Sequence, residues 1–178
     1  IKDTVNAAKS LSAIALRYFN PIGAHPSSEI GELPLGVPQN LVPYLLQVAS
    51  GDREFLSVYG DDYDTPDGTC IRDYVHVCDL VDAHVSGLKW LQSGKGSRIF
   101  NLGTGSGYSV REVLDYSRAV TNQAVPHTIG PRRPGDCTKL VSGSSRAMEE
   151  LGWTPIRSTL EQMISDAWRW HQTGHYNG

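Results

Sequence analysis

The chain has 178 residues, of which 39% are hydrophobic and 20% are charged, and this balance excludes collagen-like, coiled-coil and strongly charged disordered classes. Its 16 basic and 19 acidic residues give a formal charge of −3, so no basic field would attract the chain to nucleic acid or to an anionic membrane. No stretch approaches the roughly 18 uninterrupted apolar residues of a membrane span.

The chain begins at Ile1, and its first residues lack the basic region, apolar run and cleavage site of a signal peptide. We interpret it as a fragment or a processed chain. The three cysteines, Cys70, Cys78 and Cys137, cannot all pair with one another, and their spacing does not match a CxxC metal site. Because free thiols are typical of a reducing compartment, we expect the cytoplasm.

Strand and helix patterns alternate along the first third of the chain. Leu11–Phe19 is nearly continuous apolar sequence, which is typical of a strand buried on both faces. Because a central strand needs a neighbour on each side, we expect more sheet before residue 1. The Pro- and Gly-rich segment Asn20–Pro38 is predicted to be a long irregular loop. A helix is predicted from Asn40, a good N-cap, to about Ser50.

The middle of the chain predicts two short strands and a longer helix. The strands, Leu56–Tyr59 and Ile71–Val77, flank the turn-forming segment Gly60–Thr69. Asp79 is predicted to cap a helix over residues 80–92. The face of that helix expected to point inward comprises Val81, Val85, Leu88 and Leu91.

The last third repeats the alternation. Arg98–Leu102 is predicted to be a strand and leads into a glycine-rich turn. Ser109 and Glu112 match the S-x-x-E capping box of one helix, and Ser158 and Glu161 match that of another. Strands alternating with helices of roughly 10–15 residues predict an α/β protein with some parallel sheet.

Two motifs admit both a functional and a structural interpretation. The glycines of the segment Gly103–Gly107 follow a strand as in a dinucleotide-binding fingerprint, but their spacing is G-x-G-x-G rather than G-x-G-x-x-G, so a structural turn is favoured. A second cluster, His76, Cys78, Asp79 and His84, lacks another ligand pair at metal-site spacing. A core or hydrogen-bonded histidine is favoured over a metal site.

Basic residues mark a possible anion site. Loops rich in Gly, Pro or Asp carry Arg72, Arg132, Arg133 and Asp136. Because guanidinium groups match phosphate geometry, arginines that converge can clamp a diphosphate. Asn40 either caps its helix only or marks a helix N-terminus that binds an anion. The sequence contains no Tyr-x-x-x-Lys pair and no defensible Ser-His-Asp arrangement.

Seven blocks of sequence carry a family resemblance. In chain order they are RYFNPIGAHPSSEIGE (Arg17–Glu32), VPQNLVPYLLQVASGDRE (Val37–Glu54), VYGDDYDTPDGTCIRDYVHVCDLVDAH (Val58–His84), NLGTGSGYSV (Asn101–Val110), RRPGD (Arg132–Asp136), ELGWTP (Glu150–Pro155) and WRW (Trp168–Trp170). This ordered set resembles the UDP-glucose 4-epimerase family of extended short-chain dehydrogenases/reductases. The resemblance covers nearly the whole chain but only the C-terminal half of such an enzyme.

The resemblance implies an α/β fold that is the C-terminal portion of an extended Rossmann-type reductase. Residues 1–178 would form its C-terminal, substrate-binding half. That half would contain strands of the parallel sheet, Leu11–Phe19 and Arg98–Leu102, together with the small substrate-binding domain. The N-terminal half, with the NAD loop and the catalytic Tyr and Lys, would be absent. No catalytic residue and no metal ligand is therefore expected in this chain.

The family interconverts UDP-galactose and UDP-glucose. Its tightly bound NAD takes a hydride from C4 of the hexose and returns it to the other face of the 4-keto sugar. The implied partners are the UDP-hexose, the N-terminal half of the same enzyme and a second subunit of a homodimer. This chain alone is expected to be inactive.

The resemblance also implies roles for individual residues. Those expected to contact substrate are Asn20, near the diphosphate and sugar; Asn40 and Leu41, at a phosphate; Ser57 and Tyr59, at the uracil; Arg72 and Arg133, on the diphosphate; Asp136, at the ribose; and Leu140, in the sugar pocket. Those expected to lie against the nicotinamide of NAD are Tyr18 and Pro21.

Two departures from the family pattern and two alternative functions remain open. Cys70 stands where many members have Gly, and we predict no redox role for it. Leu140 is intermediate between the larger Tyr and the smaller residue found in the family, so acceptance of N-acetylated sugars is undecided. The alternatives are a related sugar-nucleotide dehydratase or decarboxylase, and a non-catalytic UDP-sugar-binding module.

Overall fold

The computed structural model describes residues 1–8 and 10–173. Within them the elements are, in chain order, α1 (Lys2–Ala7), β1 (Ile14–Tyr18), β2 (Asn20–Ile22), α2 (Leu41–Ala49), β3 (Leu56–Tyr59), β4 (Ile71–Arg72), β5 (Tyr74–His76), α3 (Val77–Gln92), β6 (Arg98–Leu102), β7 (Tyr108–Ser109), α4 (Val110–Thr121), β8 (His127–Gly130), β9 (Lys139–Leu140), α5 (Ser145–Leu151) and α6 (Leu160–Gln172).

The strands pair mostly in parallel, and the predicted α/β class is confirmed. β1 pairs in parallel with β6, β2 with β5, and β3 with β8. β4 lies between β7, which is antiparallel to it, and β9, which is parallel. Parallel partners need a long connection between them, and the chain that joins β1 to its partner β6 includes α2 and α3.

The first strand is shorter and less buried than the sequence predicts. It spans Ile14–Tyr18 rather than Leu11–Phe19, and its last two residues are exposed. Within the described part of the chain, β1 pairs with β6 alone. The chain continues into β2, so the start of the predicted loop Asn20–Pro38 is a short strand, beside β5.

A single strand predicted over Ile71–Val77 is broken at Asp73, which separates β4 from β5. Asp73 is fully buried, and its carboxylate accepts hydrogen bonds from the backbone N–H groups of Thr104 (2.9 Å), Gly105 (3.1 Å) and Ser142 (3.0 Å). The Thr104 hydroxyl donates a further bond of 2.7 Å. The glycine-rich loop therefore wraps around the protein's own carboxylate, which confirms the structural interpretation of that motif.

Helix α3 begins earlier than predicted. Its N-cap is His76, whose Nδ1 accepts a hydrogen bond of 3.0 Å from the backbone N–H of Cys78. Since Nδ1 is the acceptor, Nε2 carries the proton and donates to Asp166 at 3.0 Å. His76 and Asp166 are both fully buried, so the interpretation of His76 as a hydrogen-bonded core residue is confirmed.

Asp79 is not the cap of α3. It lies within the first turn, fully buried, where its carboxylate accepts hydrogen bonds from the backbone N–H of Arg157 (2.9 Å) and the hydroxyl of Ser158 (2.6 Å). The predicted capping box at Ser158 and Glu161 is consequently wrong. Thr159 caps α6 instead, because Ser158 is already engaged with Asp79.

The predicted inward face of α3 is also wrong. On that face, three residues are exposed: Val81, Val85 and Leu88. Leu80, Ala83 and Gly87 are buried instead. A Cβ on Gly87 would lie 3.6 Å from Cδ1 of Ile14, an ordinary van der Waals distance, so this face of α3 packs against β1. Small residues mark the packed face, whereas a count of large apolar residues selects the opposite one.

The capping box of α4 is confirmed. Ser109 accepts a hydrogen bond of 3.0 Å from the backbone N–H of Glu112, and the Glu112 carboxylate accepts one of 2.7 Å from the backbone N–H of Ser109. The main core packs between α2, α4, α6 and β3. A second core forms where Phe100 and Trp153 meet α3 and α5. Across the described ranges, no helix is both long and apolar enough to cross a membrane.

Candidate functional site

A cavity of about 370 Å³ opens between the start of α2, strands β3 and β4, and the loop that follows β8. We name residues 131–138 of that loop, PRRPGDCT, the arginine loop. The predicted substrate residues that the structure brings to the cavity wall are Asn20, Asn40, Leu41, Ser57, Tyr59, Arg72, Arg133 and Asp136. Five separate segments of the chain thus converge on one concave surface.

The N-terminus of α2 opens onto the cavity. Asn40 is the N-cap residue, with extended backbone (φ −89°, ψ 150°), but its side chain makes no capping hydrogen bond. The first turn holds no acidic residue. The first N–H groups of any helix lack intrahelical partners and carry the positive end of its dipole. Asn40 and Leu41 therefore present an amide and a helix N-terminus suited to an anion.

Two arginines meet one carboxylate in another part of the cavity wall. Asp136 Oδ1 lies 3.3 Å from a terminal nitrogen of Arg72, and Oδ2 lies 3.0 Å from Nε of Arg133. Arg72 also donates to the carbonyl oxygens of Ile71 (2.9 Å) and Cys137 (2.8 Å), which fixes its guanidinium plane. The arrangement favours phosphate between the guanidinium groups and hydroxyl groups at the carboxylate.

Aromatic and apolar groups complete the wall. Tyr59 lies under the guanidinium of Arg133, with 4.9 Å between Cζ and the ring centroid. Tyr44, Tyr74 and Val110 also line the cavity. Burial raises the pKa of Tyr74, so its phenol is neutral at physiological pH.

Cys70 faces the same cavity but carries no charge there. It is 7% exposed, and burial raises the pKa of its thiol. The charged groups among the cavity-lining residues that the structure describes are then Arg72, Arg133 and Asp136. Two positive charges against one negative charge leave an excess that favours an anionic ligand.

The arginine loop is also held from outside the cavity. Nε of Arg132 donates to Oδ1 of Asp62 at 2.7 Å, and its guanidinium also hydrogen-bonds the Asp62 carbonyl oxygen. Its Cζ lies 4.3 Å from the ring centroid of Tyr63. The hydrogen bond from Arg132 lowers the pKa of Asp62 below its ordinary value. Successive arginines of this loop thus stack on two different tyrosines.

Three predicted site residues lie away from the cavity. Leu140 is exposed on β9 and pairs in register with Arg72, but it does not line the cavity. Tyr18 is exposed at the end of β1, where its ring centroid is 6.1 Å from that of His84. Pro21 is exposed on β2. The structure does not unite these three with the eight residues above.

Sequence reasoning missed several wall residues. They are Val37, Pro38, Gln39, Tyr44, Leu56, Val58, Tyr74 and Val110. Tyr44 could have been found, because it lies four residues after Asn40 and so on the same helix face. Val37, Pro38 and Gln39 directly precede Asn40 in the sequence, and the rest require knowledge of how β3, β5 and α4 pack together. In the part of the chain that the structure describes, no group of three or more His, Cys, Asp or Glu could hold a metal ion.

Comparison with known proteins supplies a family. The model of the NAD dependent epimerase/dehydratase family matches residues 2–103. The UDP-glucose 4-epimerase of Bacillus subtilis is 47% identical over 178 residues, which are 100% of this chain and 52% of that protein. The UDP-glucose 4-epimerase of Homo sapiens is 48% identical over 172 residues, 97% of this chain and 49% of that protein. The chain spans about half the length of the curated relatives it matches.

Solved structures agree with the sequence relatives. A UDP-glucose-4-epimerase of Stenotrophomonas maltophila, with bound NAD and formylated UDP-arabinopyranose, superposes with a TM-score of 0.94 at 44% identity. The match covers 99% of this chain and 52% of that chain. The enzyme of Bifidobacterium longum, in complex with NAD+ and UDP, gives a TM-score of 0.91 at 42% identity, with 99% and 52% coverage. The predicted fold class is confirmed by these matches.

Proposed function

Since this chain belongs to the NAD dependent epimerase/dehydratase family, we propose that it forms the UDP-sugar-binding half of a UDP-glucose 4-epimerase. The observation that carries the proposal is the cavity, whose wall combines Arg72 and Arg133 with the N-terminus of α2. Two guanidinium groups and a helix N-terminus are the groups that recognise a diphosphate. The reaction proposed for the whole enzyme is the interconversion of UDP-galactose and UDP-glucose.

Each wall of the cavity suits one part of UDP. We assign the diphosphate to Arg72, Arg133 and the Asn40–Leu41 helix start, with Asn20 at its sugar end. The ribose hydroxyl groups would donate to Asp136, whose carboxylate already faces both guanidinium groups. The uracil would lie between Ser57 and Tyr59, where an aromatic face is available for stacking.

Epimerisation requires a firm hold on the nucleotide and a weak hold on the sugar, because the 4-keto sugar must turn over before it is reduced. The charged groups of the cavity supply the firm hold. Leu140 lies outside the cavity but beside Arg72 in the sheet register, and we propose it as an apolar contact of the hexose that makes no hydrogen bond. Such a contact does not fix the orientation of the ring.

The residues of this chain fit only the edge of an NAD site. The loop Gly103–Gly107 does not fit the NAD pyrophosphate, because the N–H groups of Thr104 and Gly105 already bond to Asp73. Tyr18 and Pro21 are exposed and would lie against the nicotinamide. When bound, NAD accepts and returns a hydride at C4 of the hexose. We assign the rest of the NAD site, and the catalytic Tyr and Lys, to the other half of the enzyme.

The proposed partners follow from the same assignment. They are a UDP-hexose, the N-terminal half of the enzyme and a second subunit. We propose the cytoplasm as the compartment, since the three cysteines are free.

The proposal is tested in two steps. Isothermal titration of this chain with UDP should give saturable binding that Arg72→Gln weakens, with Arg98→Gln, which removes an exposed ion pair elsewhere, as the matched control. The protein expressed from its complete natural reading frame should then convert UDP-galactose to UDP-glucose, followed by proton NMR. UDP binding without turnover of the complete protein would support the binding-module alternative. A dehydrated or decarboxylated product would instead support the alternative of a sugar-nucleotide dehydratase or decarboxylase.

Two results would contradict the proposal itself. One is the absence of UDP binding by both this chain and the complete protein. The other is epimerase turnover by the purified chain alone, because that would require a base and a hydride acceptor within these residues.

A further inference from the structure

Adjacent residues of the arginine loop face opposite sides of the cavity wall. Arg133 and Asp136 line the cavity, whereas Arg132 does not. Arg132 instead reaches the loop that follows β3, where it bonds to the side chain and backbone of Asp62 and stacks on Tyr63. Because Arg132 and Arg133 are consecutive, an interaction that fixes one restricts the backbone position of the other.

We propose that Asp62, Tyr63 and Arg132 form an anchor, outside the cavity, that positions Arg133 and Asp136 for binding the nucleotide; this inference rests on the proposed function. Arg132 is then a positioning residue, because it acts on the ligand through Arg133 and not by contact.

The packing around Arg132 supports this role. Gly60 has a φ of +82°, and a Cβ there would lie 2.7 Å from Cγ of Arg132 and 2.7 Å from Cε2 of Tyr63. The side chains of Arg132 and Tyr63 thus occupy space that only glycine leaves open at residue 60. Next to them, the N–H of Gly60 donates to the carbonyl oxygen of Gly130 at 2.9 Å. The anchor therefore begins where β3 and β8 end.

The part of the arginine loop that lines the cavity contains residues that leave its backbone weakly ordered without the anchor. Residues 131–138 contain Pro131, Pro134 and Gly135, and the φ of Gly135 is +87°. Proline cannot donate a backbone hydrogen bond, and glycine loses the most conformational freedom on ordering. Within this loop the backbone N–H of Asp136 bonds to the carbonyl oxygen of Arg133 at 3.2 Å. The anchor fixes the loop at Arg132, directly before the turn from Arg133 to Asp136.

Two explanations of a functional effect at Arg132 must be separated. A positive charge near the cavity attracts a diphosphate at a distance, whatever its geometry. A positioning role depends on the planar guanidinium, which stacks on an aromatic ring and bonds through a rigid fork of donors. If only the charge matters, exchanging Arg for Lys should leave UDP affinity unchanged. If Arg132 positions the loop, the same exchange should weaken UDP binding.

The test measures UDP and uridine affinity by titration calorimetry on the protein from its complete reading frame. Arg132→Lys should weaken UDP binding about fivefold, the net effect of losing one ordinary hydrogen bond. Asp62→Asn should weaken it about threefold, although it removes a negative charge that would otherwise repel UDP. Both losses should be smaller for uridine, because Arg133 is assigned to the diphosphate.

Two further variants isolate the ring of Tyr63. Its hydroxyl is buried without a hydrogen-bond partner, and the residue is 4% exposed. Tyr63→Phe keeps the ring under Arg132 and should keep the affinity for UDP. Tyr63→Leu removes the ring and should weaken binding. In activity assays all weakening variants should raise KM and leave kcat unchanged.

The controls keep the outcomes decisive. The side chains of Arg132 and Asp62 are 46% and 70% exposed, so Arg132→Lys and Asp62→Asn should fold normally, as thermal unfolding would verify. Arg98, 43% exposed and bonded to Glu150, is the matched arginine, and Arg98→Lys should bind UDP like the wild type. Wild-type affinity in Arg132→Lys, or tighter binding in Asp62→Asn, would overturn the anchor. Failure of the wild type to bind UDP would instead overturn the proposed function.

Discussion

Two stretches of backbone in this chain present N–H groups in arrangements typical of anion sites, and they serve different anions. The loop Gly103–Gly107 directs the N–H groups of Thr104 and Gly105 to the buried carboxylate of Asp73. The start of α2 has no acidic group in its first turn and no side-chain cap, and it opens onto the cavity. One arrangement thus stabilises the fold, and the other is available to a ligand.

The comparison of these two backbone segments shows why a sequence motif alone does not identify a ligand site. A glycine-rich turn after a strand is the more familiar anion signature, yet here the protein provides the anion itself. The position of Asp73 in the sequence, thirty residues upstream, gives no local indication of this contact. A sequence motif identifies a set of donors, whereas the fold decides which acceptor they meet.

Replacing Asp73 should have the largest effect of the changes we consider. Asp73→Asn removes the charge from an acceptor of four hydrogen bonds, and its NH₂ group would face N–H donors. We expect a loss of about 3 kcal/mol in the free energy of unfolding, measured in urea. Asp115→Asn, at an exposed ion pair, should change it by less than about 0.5 kcal/mol. Equal stability of Asp73→Asn and wild type would contradict the claim that the loop Gly103–Gly107 stabilises the fold through Asp73.

Arg72→Gln tests the ligand side. The Arg72 guanidinium is nearly buried and bonded to Asp136, so its removal costs the diphosphate a fixed partner. We expect UDP affinity to fall on the order of 30-fold, about 2 kcal/mol, measured by calorimetry. Wild-type affinity in this variant would be incompatible with a diphosphate at the arginines.

A pair of N-caps sharpens the contrast between stability and binding. Ser109→Ala deletes a capping box and the hydrogen bond from the Ser109 hydroxyl to Asp67, and should lower the free energy of unfolding by about 2 kcal/mol without changing UDP affinity. Asn40→Ala deletes a side chain that makes no capping bond, so stability should hold while UDP affinity falls about fivefold. Chemical unfolding and calorimetry on both variants measure the two effects. The reverse pattern would show that Asn40 serves the helix rather than the ligand.

The smallest effect concerns pH and a third helix start, that of α3, which is capped by His76. Burial lowers the pKa of His76 below its ordinary value of 6.5, against a weaker raising effect of Asp79. The unfolded chain therefore binds a proton more readily, and stability should fall as the pH drops through 6.5 toward the lowered pKa. Burial lowers the pKa of His171 in the same direction.

Urea unfolding at a series of pH values measures this slope. The His76→Gln variant should show a shallower dependence than the wild type, with His171→Gln as the variant that isolates the second contribution. If the free energy of unfolding of His76→Gln depends on pH as steeply as that of the wild type, His76 does not cause the pH dependence.

Much of the fold and the cavity could be predicted from the sequence, for identifiable reasons. The capping box of Ser109 and Glu112 is a local pattern, and local chemistry decides it. Eight predicted substrate residues reach one cavity because the family resemblance carried information about tertiary structure that spacing alone lacks.

The failures share a physical cause. Asp79 and Ser158 look like helix caps in isolation but bond to each other across the fold. The packed face of α3 is the one that carries Leu80, Ala83 and Gly87, because that face lies against β1. In both cases a partner distant in sequence decided the outcome.

The thiol in the cavity wall has a practical consequence for labelling kinetics. Cys70 is buried against the cavity, whereas Cys137 is exposed. Since thiolates react and thiols do not, the raised pKa of Cys70 makes it slow toward iodoacetamide, and Cys137 should be modified first. A nucleotide in the cavity would slow Cys70 further, whereas Cys78, which does not line the cavity, would be unaffected. The ratio of the modified Cys70 and Cys78 peptides in a mass spectrum would then report occupancy of the cavity, with an internal standard in the same molecule.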